Sequence, residues 1–298
     1  MKRKLVYGIG RMLCGISPTL ASRYWYYFNF RKPLDLKNPV TLNEKLMWLK
    51  LNTYRNNPLV SKCSDKYAVR EYILERDCGE LLNELYGVWD SVEEIDWEAL
   101  PESYVLKCNH GCGYNILCPD KKKMDIAETK ALLDKWMHTD FWRKLAEVQY
   151  RTITPKIVCE AFLGSGGHLY DYKFYCFHGK AEYVLVCTER EQGKPRFYFF
   201  DRDWKLCPIT RDGKAAEEDF HLEKPEHLEE MFQYAERLAE PFPFVRVDLY
   251  YVDGKIYFGE LTFVPSGALD TSRLPETDLL FGSMLELPLA QSSEKSKD

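Results

Sequence analysis

The stretch from Val245 to Thr262 constrains the fold more than any other part of the chain. Its first half is Val245-Arg246-Val247-Asp248-Leu249-Tyr250-Tyr251 and its second half is Ile256-Tyr257-Phe258-Gly259-Glu260-Leu261-Thr262, with Val252-Asp253-Gly254-Lys255 between. An Asp-Gly pair between alternating apolar runs predicts a tight antiparallel hairpin. Facing side chains of a hairpin converge, so the carboxylates of Asp248 and Glu260 are expected together. Two acids on one face repel each other unless a cation or a proton intervenes. Two compensations are open. Oxygen ligands of this kind suit magnesium carrying a nucleoside triphosphate. Alternatively Arg246, two residues before Asp248 and on the same face by strand periodicity, supplies a purely structural ion pair.

The rest of the chain reads as α+β. With 298 residues, 45% of them hydrophobic, it can bury a full core and hold two or three modules. Thr41-Leu42-Asn43-Glu44 has the form of a capping box opening a helix, which Asn56-Asn57-Pro58 is expected to close. Ser64-Asp65 is expected to cap a second helical run, 66–73, that ends near Cys78-Gly79. A strand over 104–107 enters the turn-rich Cys108-Asn109-His110-Gly111-Cys112-Gly113, and 114–118 reads as its return strand. Helical spacing follows over 125–150, broken around His138-Thr139-Asp140. Strands are expected over 157–162, 169–177, 181–188 and 196–200, a helix over 225–239, then the hairpin. Residues 291–298 are a polar tail with no reason to order.

Charge and cysteine usage narrow the function classes. A formal net charge of -5 offers no bulk attraction to nucleic acid, which is therefore not an expected partner. The ten cysteines lie scattered in apolar runs such as Ile157-Val158-Cys159, as buried thiols of a reducing cytoplasm do. No acidic residue precedes Asp35, whereas Lys2, Arg3, Lys4, Arg11, Arg23, Arg31 and Lys32 are basic and are interleaved with Tyr24, Trp25, Tyr26, Tyr27 and Phe28. Arg11 interrupts the only short apolar stretch there, so an export signal is not expected, and nothing approaches the roughly 20 apolar residues of a membrane span. Leu5, Ile9, Met12, Leu13 and Ile16 fall at helical spacing. Residues 1–32 then either rest on an anionic membrane surface or pack on the core with their basic side chains in water.

Lys107 ends a strand and faces a loop holding Gly111 and Gly113, so its ammonium and the loop amides suit phosphate oxygens. The spacing is not that of a Walker loop. Lys66, directly after Asp65 at a helix start, reads either as a second phosphate ligand or as an exposed helical lysine. Two rival motifs stand beside these. Asp201-Arg202-Asp203 matches the Asp-x-Asp of metal-dependent glycosyltransferases, or a solvated turn. Cys108, His110, Cys112 and Cys118 offer four soft ligands in a short span, though not at a common structural-zinc spacing.

Taken in order, Asp65-Lys66, Val105-Leu106-Lys107 with its glycine-bearing loop, Cys159-Glu160-Ala161-Phe162-Leu163, Arg246-x-Asp248 and Glu260-Leu261-Thr262 resemble the ATP-grasp ligases over residues 61–272. More narrowly, the run Asp65-Lys66-Tyr67-Ala68-Val69-Arg70-Glu71-Tyr72 and the loop from Lys107 to Gly113 resemble TupA-like ATP-grasp proteins, named for teichuronopeptide synthesis and associated with bacterial surface polysaccharides. The resemblance implies the ATP-grasp fold, with two α+β lobes holding ATP between antiparallel sheets and an added N-terminal helical segment. The expected division is a basic and aromatic helical region at 1–58, a first lobe with a phosphate-covering loop at 59–162, a second lobe with the metal-binding hairpin at 163–288, and a disordered tail at 289–298.

By the same resemblance Lys66 and Lys107 hold ATP phosphates, and the loop with Asn109, His110, Gly111 and Gly113 closes over them. Glu160, Ala161, Phe162 and Leu163 line the adenine pocket, Asp171 reaches the ribose, and Lys173 adds a phosphate contact. Asp248, Glu260 and Thr262 bind Mg2+, while Arg246 and Lys107 act on the transferring phosphoryl group. Thr262 stands where many ATP-grasp enzymes have Asn, so a hydroxyl, or a water it holds, replaces an amide oxygen. Pro265-Ser266-Gly267 resembles the acceptor-side turn. The implied reaction phosphorylates a carboxylate from ATP and lets an amine displace the phosphate, with an amino acid and a sugar acid of a surface glycan as the expected substrates.

Overall fold

The second half of the chain builds one broad sheet, and the first half builds a smaller one that faces it across a cleft. The computed structural model describes residues 2–164, 170–189 and 195–288. The expected tail lies outside the described residues. Helices α1 (Lys2–Ile16) and α2 (Pro18–Phe30) come first, then α3 (Leu42–Leu51), α4 (Pro58–Ser64) and α5 (Val69–Glu75). The small sheet consists of β1 (Leu85–Trp89), β2 (Tyr104–Cys108), β3 (Asn115–Cys118) and, after α6 (Ile126–Met137), β4 (Ile157–Ala161). The broad sheet takes β5 (Asp171–Phe177), β6 (Lys180–Thr188), β7 (Arg196–Phe200) and β8 (Leu206–Cys207). After α7 (Arg211–Lys214) and α8 (Leu228–Ala239) come its last strands, β9 (Phe244–Val252) and β10 (Lys255–Thr262), and then α9 (Pro275–Met284). The strand orders are β1-β4-β2-β3 and β10-β9-β5-β6-β7-β8, and every pairing is antiparallel. This is the α+β arrangement expected.

Local chemistry explains where the elements begin. Thr41 and Glu44 form the predicted capping box at the start of α3. Asn57 does not close that helix. Its side chain accepts from the N–H groups of Leu59 and Val60, at 3.0 and 3.3 Å, and with Pro58 behind it opens α4. The Asp65 carboxylate accepts from Tyr67 and Ala68 N–H, a turn that delays the next helix to Val69. The second helical piece expected after α6 is replaced by two short 3-10 turns at 141–143 and 148–150, because Ala146 between them holds a left-handed φ of 56°. Strand β1 and helix α9 go beyond what periodicity predicts.

The period-two alternation of the broad sheet sorts its two faces. Phe174, Val245, Val247 and Leu249 point to the back, where α8 covers them with Met231, Phe232, Ala235 and Leu238, all essentially inaccessible. Phe174 and Phe232 meet edge to face at 4.9 Å. Each buried Val, Leu, Phe or Met side chain here contributes roughly 1.5–3 kcal/mol relative to exposure. The front face carries the polar residues of β5, β9 and β10 into the cleft. A second core, with Leu106, Ile157, Cys159 and Leu133, joins the small sheet to α6. A third, around Cys14, Ala21, Trp25 and Ala146, seats α1 and α2 on the segment that leads to β4.

Candidate active site

The hairpin forms with Asp253 and Gly254 both at positive φ, 49° and 78°, as a type I′ turn requires. Simple alternation from that turn would pair Glu260 with Val247 and send it to the back of the sheet. The observed register is different. Phe258 pairs with Leu249 and Glu260 with Asp248, leaving Gly259 as the extra residue of a bulge. A side chain on Gly259 would sit 2.9 Å from the Asp248 carbonyl oxygen. The bulge therefore turns Glu260 and Thr262 to the cleft face beside Asp248 and Arg246.

Strand pairing then lines up charges. Lys173 is registered with Asp248, and Tyr175 with Arg246. The Lys173 ammonium donates to Asp171 and, at 2.6 Å, to Asp248. Arg246 donates to both Asp248 oxygens at 2.6 Å, and its Nη2 also reaches Glu260 Oε1 and Thr262 Oγ1 at 3.1 Å. Burial pushes the Glu260 carboxyl up, but Arg246, Lys173 and Lys66 outweigh it and hold the group down to about 2. Arg246 is thus the ion-pair partner that the sequence left open.

The same geometry tests whether a magnesium ion suits these residues. One guanidinium nitrogen lies within 2.6–3.1 Å of oxygens from Asp248, Glu260 and Thr262. Three hard oxygens therefore converge on a point that favours positive charge, and such donors suit magnesium. The residues fit the ion.

The opposite wall belongs to the small sheet and α5. Lys107 donates to Glu160, which also accepts from Arg70 at 3.0 Å. Lys66 donates to the Gly111 carbonyl, and burial lowers its pKa against the pull of Glu260. Both walls enclose one cavity of about 700 Å³, within the usual range for small-molecule sites. It is lined by Lys66, Lys107, Gly113, Lys173, Arg246, Asp248, Glu260 and Thr262, and at one end by Glu160, Ala161, Phe162, Leu163 and Asp171. Apolar neighbours Val69, Leu82 and Val105 complete that end.

Part of the predicted loop lies elsewhere. Asn109 is fully buried, its amide donating to Asp65 and the Thr154 carbonyl while its oxygen accepts from Lys156 N–H. His110 is buried too, with Nε2 on the Trp136 carbonyl. Neither side chain lines the cleft, and Gly111 reaches it only through the carbonyl that meets Lys66. These two polar side chains anchor the loop and do not line the cavity.

The rival motifs resolve as local structure. Asp201 accepts from Asp203 N–H at 3.0 Å and Lys205 N–H at 2.9 Å, a turn outside the cleft, while Arg202 pairs with Glu229 and Glu236. Cys108 and Cys118 are buried in the small sheet, and among the described residues no cluster of three or more His, Cys, Asp or Glu is placed to hold a metal.

Other residues join the site without having been foreseen. Arg70 holds Glu160, and its position in the Asp65-to-Tyr72 run gave no sign of that partner. Lys144, Glu147 and Tyr150 line the cleft from the segment between α6 and β4. Burial pushes Glu147 up to about 7, with Lys50 and Lys144 pulling it down and Glu260 adding to the rise. Lys50, fully buried on α3, is brought down to about 8 by burial against the pull of Glu147 and Cys14. Only the polar letters interrupting the helical pattern of 141–150 hinted at this wall.

A family model described as TupA-like ATPgrasp matches residues 44–286. No curated protein matches the chain. Among solved structures it is similar to D-alanine–D-alanine ligase from Bacillus anthracis, at 16% identity and a TM-score of 0.45, covering 76% of this chain and 64% of that one. The ATP complex of that ligase aligns at 14% identity and a TM-score of 0.46, covering 76% and 63%. N5-carboxyaminoimidazole synthase from Aspergillus clavatus, in complex with ADP and 5-aminoimidazole ribonucleotide, aligns at 10% identity and a TM-score of 0.41, covering 77% and 52%. The chain thus spans less than two thirds of the length of each.

Proposed function

This chain belongs to the TupA-like ATP-grasp family, and from that membership and the charge pattern of its cleft we propose that it is an ATP-dependent ligase joining a carboxylate to an amine. One observation carries the reading. Lys66, Lys107, Lys173 and Arg246 converge on a single cavity that also holds Asp248, Glu260 and Thr262, and its far end is apolar enough for a base.

In this reading the adenine lies among Ala161, Phe162 and Leu163, and Asp171 takes a ribose hydroxyl. The phosphates meet Lys66, Lys107 and Lys173, and the loop ending at Gly113 covers them. Asp248, Glu260 and Thr262 are the residues that would hold magnesium, which when bound supplies positive charge against phosphate oxygens. Arg246 and Lys107 stabilise charge on the transferring group. A carboxylate oxygen of the substrate attacks the terminal phosphorus, ADP leaves, and the acylphosphate gives an electrophilic carbonyl. The neutral amine nitrogen then bonds to that carbonyl carbon, inorganic phosphate departs with the electron pair of the broken C–O bond, and the nitrogen gives up one proton to that phosphate. Enclosure of the cleft protects the acylphosphate from water.

The substrates we propose are an amino acid and a sugar acid of a surface glycan, used in the cytoplasm where ATP is made available. An ADP-release screen of amino acids against uronic acids and their nucleotide conjugates tests this. ADP formation is expected only with both substrates present. No stimulation by any pair would sink the ligase reading.

We propose further that the N-terminal helices rest on an anionic membrane surface. Leu5, Met12 and Ile16 point outward at 67%, 62% and 70% exposure, whereas Leu13 turns inward onto the core of α2. This outer apolar stripe sits in a region that holds seven basic residues and no acid before Asp35. No helix of the described residues is long and apolar enough to cross a membrane. The full chain is expected to float with phosphatidylglycerol vesicles and not with phosphatidylcholine alone. Flotation unchanged by the triple substitution Leu5→Glu, Met12→Glu and Ile16→Glu would count against the contact.

A further inference from the structure

Five acids line the cleft: Glu147, Glu160, Asp171, Asp248 and Glu260. Four meet a cation at hydrogen-bond distance. Glu147 does not. It is 8% exposed and faces the cavity, yet among the described residues its carboxylate makes no hydrogen bond or ion pair. Lys50, the cation that pulls most strongly on Glu147, gives its ammonium to the Leu145 carbonyl at 3.1 Å and stays beyond ion-pair distance of Glu147. A buried carboxylate without a partner is costly, and such groups are found where a ligand completes them.

Three residues away, Lys144 lines the same cavity at its open edge. Its ammonium lies 5.8 Å from the Phe141 ring centroid and, among the described residues, has no anionic partner. One acid and one base, neither of them in an ion pair among the described residues, therefore stand on neighbouring turns of one wall, within electrostatic reach of each other. Backbone geometry holds them there: Ala146, fully buried and left-handed, fixes the chain between them. Leu145, also between them, packs on Gly267 of the turn that follows β10, so this wall adjoins the hairpin carrying Glu260 and Thr262. The opposite charges complement a zwitterion, and the remaining cations of the cleft complement only anions.

We propose that residues 144–150 form the subsite for a free amino acid, with Glu147 taking its ammonium group and Lys144 its carboxylate. The identity of that amino acid as the amine of the ligation rests on the proposed function; the subsite itself does not. The assignment makes the amino acid the nucleophile once its ammonium has passed a proton to the Glu147 carboxylate, and it leaves the amino acid's own carboxylate unactivated.

Ligand-observed NMR on the full chain at pH 8 tests it, using alanine, aspartate, glutamate, serine and lysine as probes, with lactate and alaninamide as analogues lacking one charge each. At least one amino acid is expected to bind. Glu147→Gln should weaken it at least tenfold while leaving the affinity of lactate unchanged, and Lys144→Met should weaken amino acid and lactate but spare alaninamide. Binding of no amino acid, binding indifferent to Glu147→Gln, or displacement of the amino acid by Mn2+ held at Glu147 would overturn the proposal. If Glu147 merely balances Lys50, Glu147→Gln lowers the melting temperature, Lys50→Met restores it, and amino-acid affinity stays put, which also overturns it. Affinity for a fluorescent ATP analogue, followed in parallel, reports on the nucleotide reading alone. Its absence in the unaltered protein would sink that reading without touching the NMR result.

Discussion

Two sides of the cleft, the broad sheet and the segment between α6 and β4, treat carboxylates in opposite ways. On the broad sheet each acid is matched: Asp248 by Arg246 and Lys173, Asp171 by Lys173, and Glu260 by Arg246. On the segment between α6 and β4, Glu147 is buried as deeply as Glu160 but, among the described residues, meets no cation at hydrogen-bond distance; Lys50 and Lys144 act on it only from farther off. Strand pairing accounts for the first case, since registered residues on adjacent strands stand side by side and charges on one face meet by construction. The 3-10 turns of the second wall have no such partner strand. A paired wall is set before any ligand arrives, whereas a bare one is completed by what binds.

The largest expected effect removes one acid from the paired wall. Asp248→Asn or Glu260→Gln keeps the shape and deletes the charge, leaving Arg246 and Lys173 with less to balance. ADP formation is expected to fall about a hundredfold or more, with circular dichroism and cooperative melting retained. Full turnover in both variants would erase the functional distinction between the walls.

Next in size is the bulge that makes the pairing happen. Gly259→Val places a branched side chain against the Asp248 carbonyl, where even a Cβ would be at 2.9 Å. The register must shift or the strand must bend, at a cost of about 2–3 kcal/mol by urea unfolding. Loss of ADP formation should accompany it, because a regular register turns Glu260 to the back of the sheet. Unfolding at the unaltered denaturant midpoint would show that the glycine is dispensable there.

That bulge also marks the boundary of what the sequence discloses. The Asp-Gly turn and the alternation around it give the hairpin, and Lys107 with its return strand is equally legible, because both are short-range patterns. The convergence of Asp248 and Glu260 is legible only if Gly259 is taken as a bulge residue; a glycine inside an aromatic and β-branched strand is the available signal. Asn109 and His110 mislead for a different reason. A polar side chain in a glycine-rich loop looks like a ligand contact, but these two are used to tie the loop to Asp65, Thr154 and Trp136, partners distant in sequence. Glu147 is invisible for the same reason in reverse. Its significance is the lack of a partner, and no local pattern encodes that.

The smallest effect follows from how Glu147 and Lys50 share the interior. Burial holds Glu147 at about 7, above the 4.5 of a free glutamate, so between those values the folded chain binds more protons than the unfolded chain. Its share of stability is therefore present at low pH and is lost as pH rises from 4.5 through 7. Lys50 behaves as the mirror image, held at about 8 below an ordinary 10.5, so its share is lost as pH falls from 10.5 through 8. Lys144 and Glu260 also face Glu147, Lys144 pulling its pKa down and Glu260 adding to its rise. Stability of the unaltered protein should decline by roughly 1–2 kcal/mol between pH 5 and 7.5 from Glu147 alone, after allowance for the coupling to Lys50. Urea unfolding of Glu147→Gln at the same pH values should lack that decline and match the unaltered protein near pH 5. An identical slope in both proteins would mean that Glu147 is already compensated, and the contrast between the two walls would dissolve.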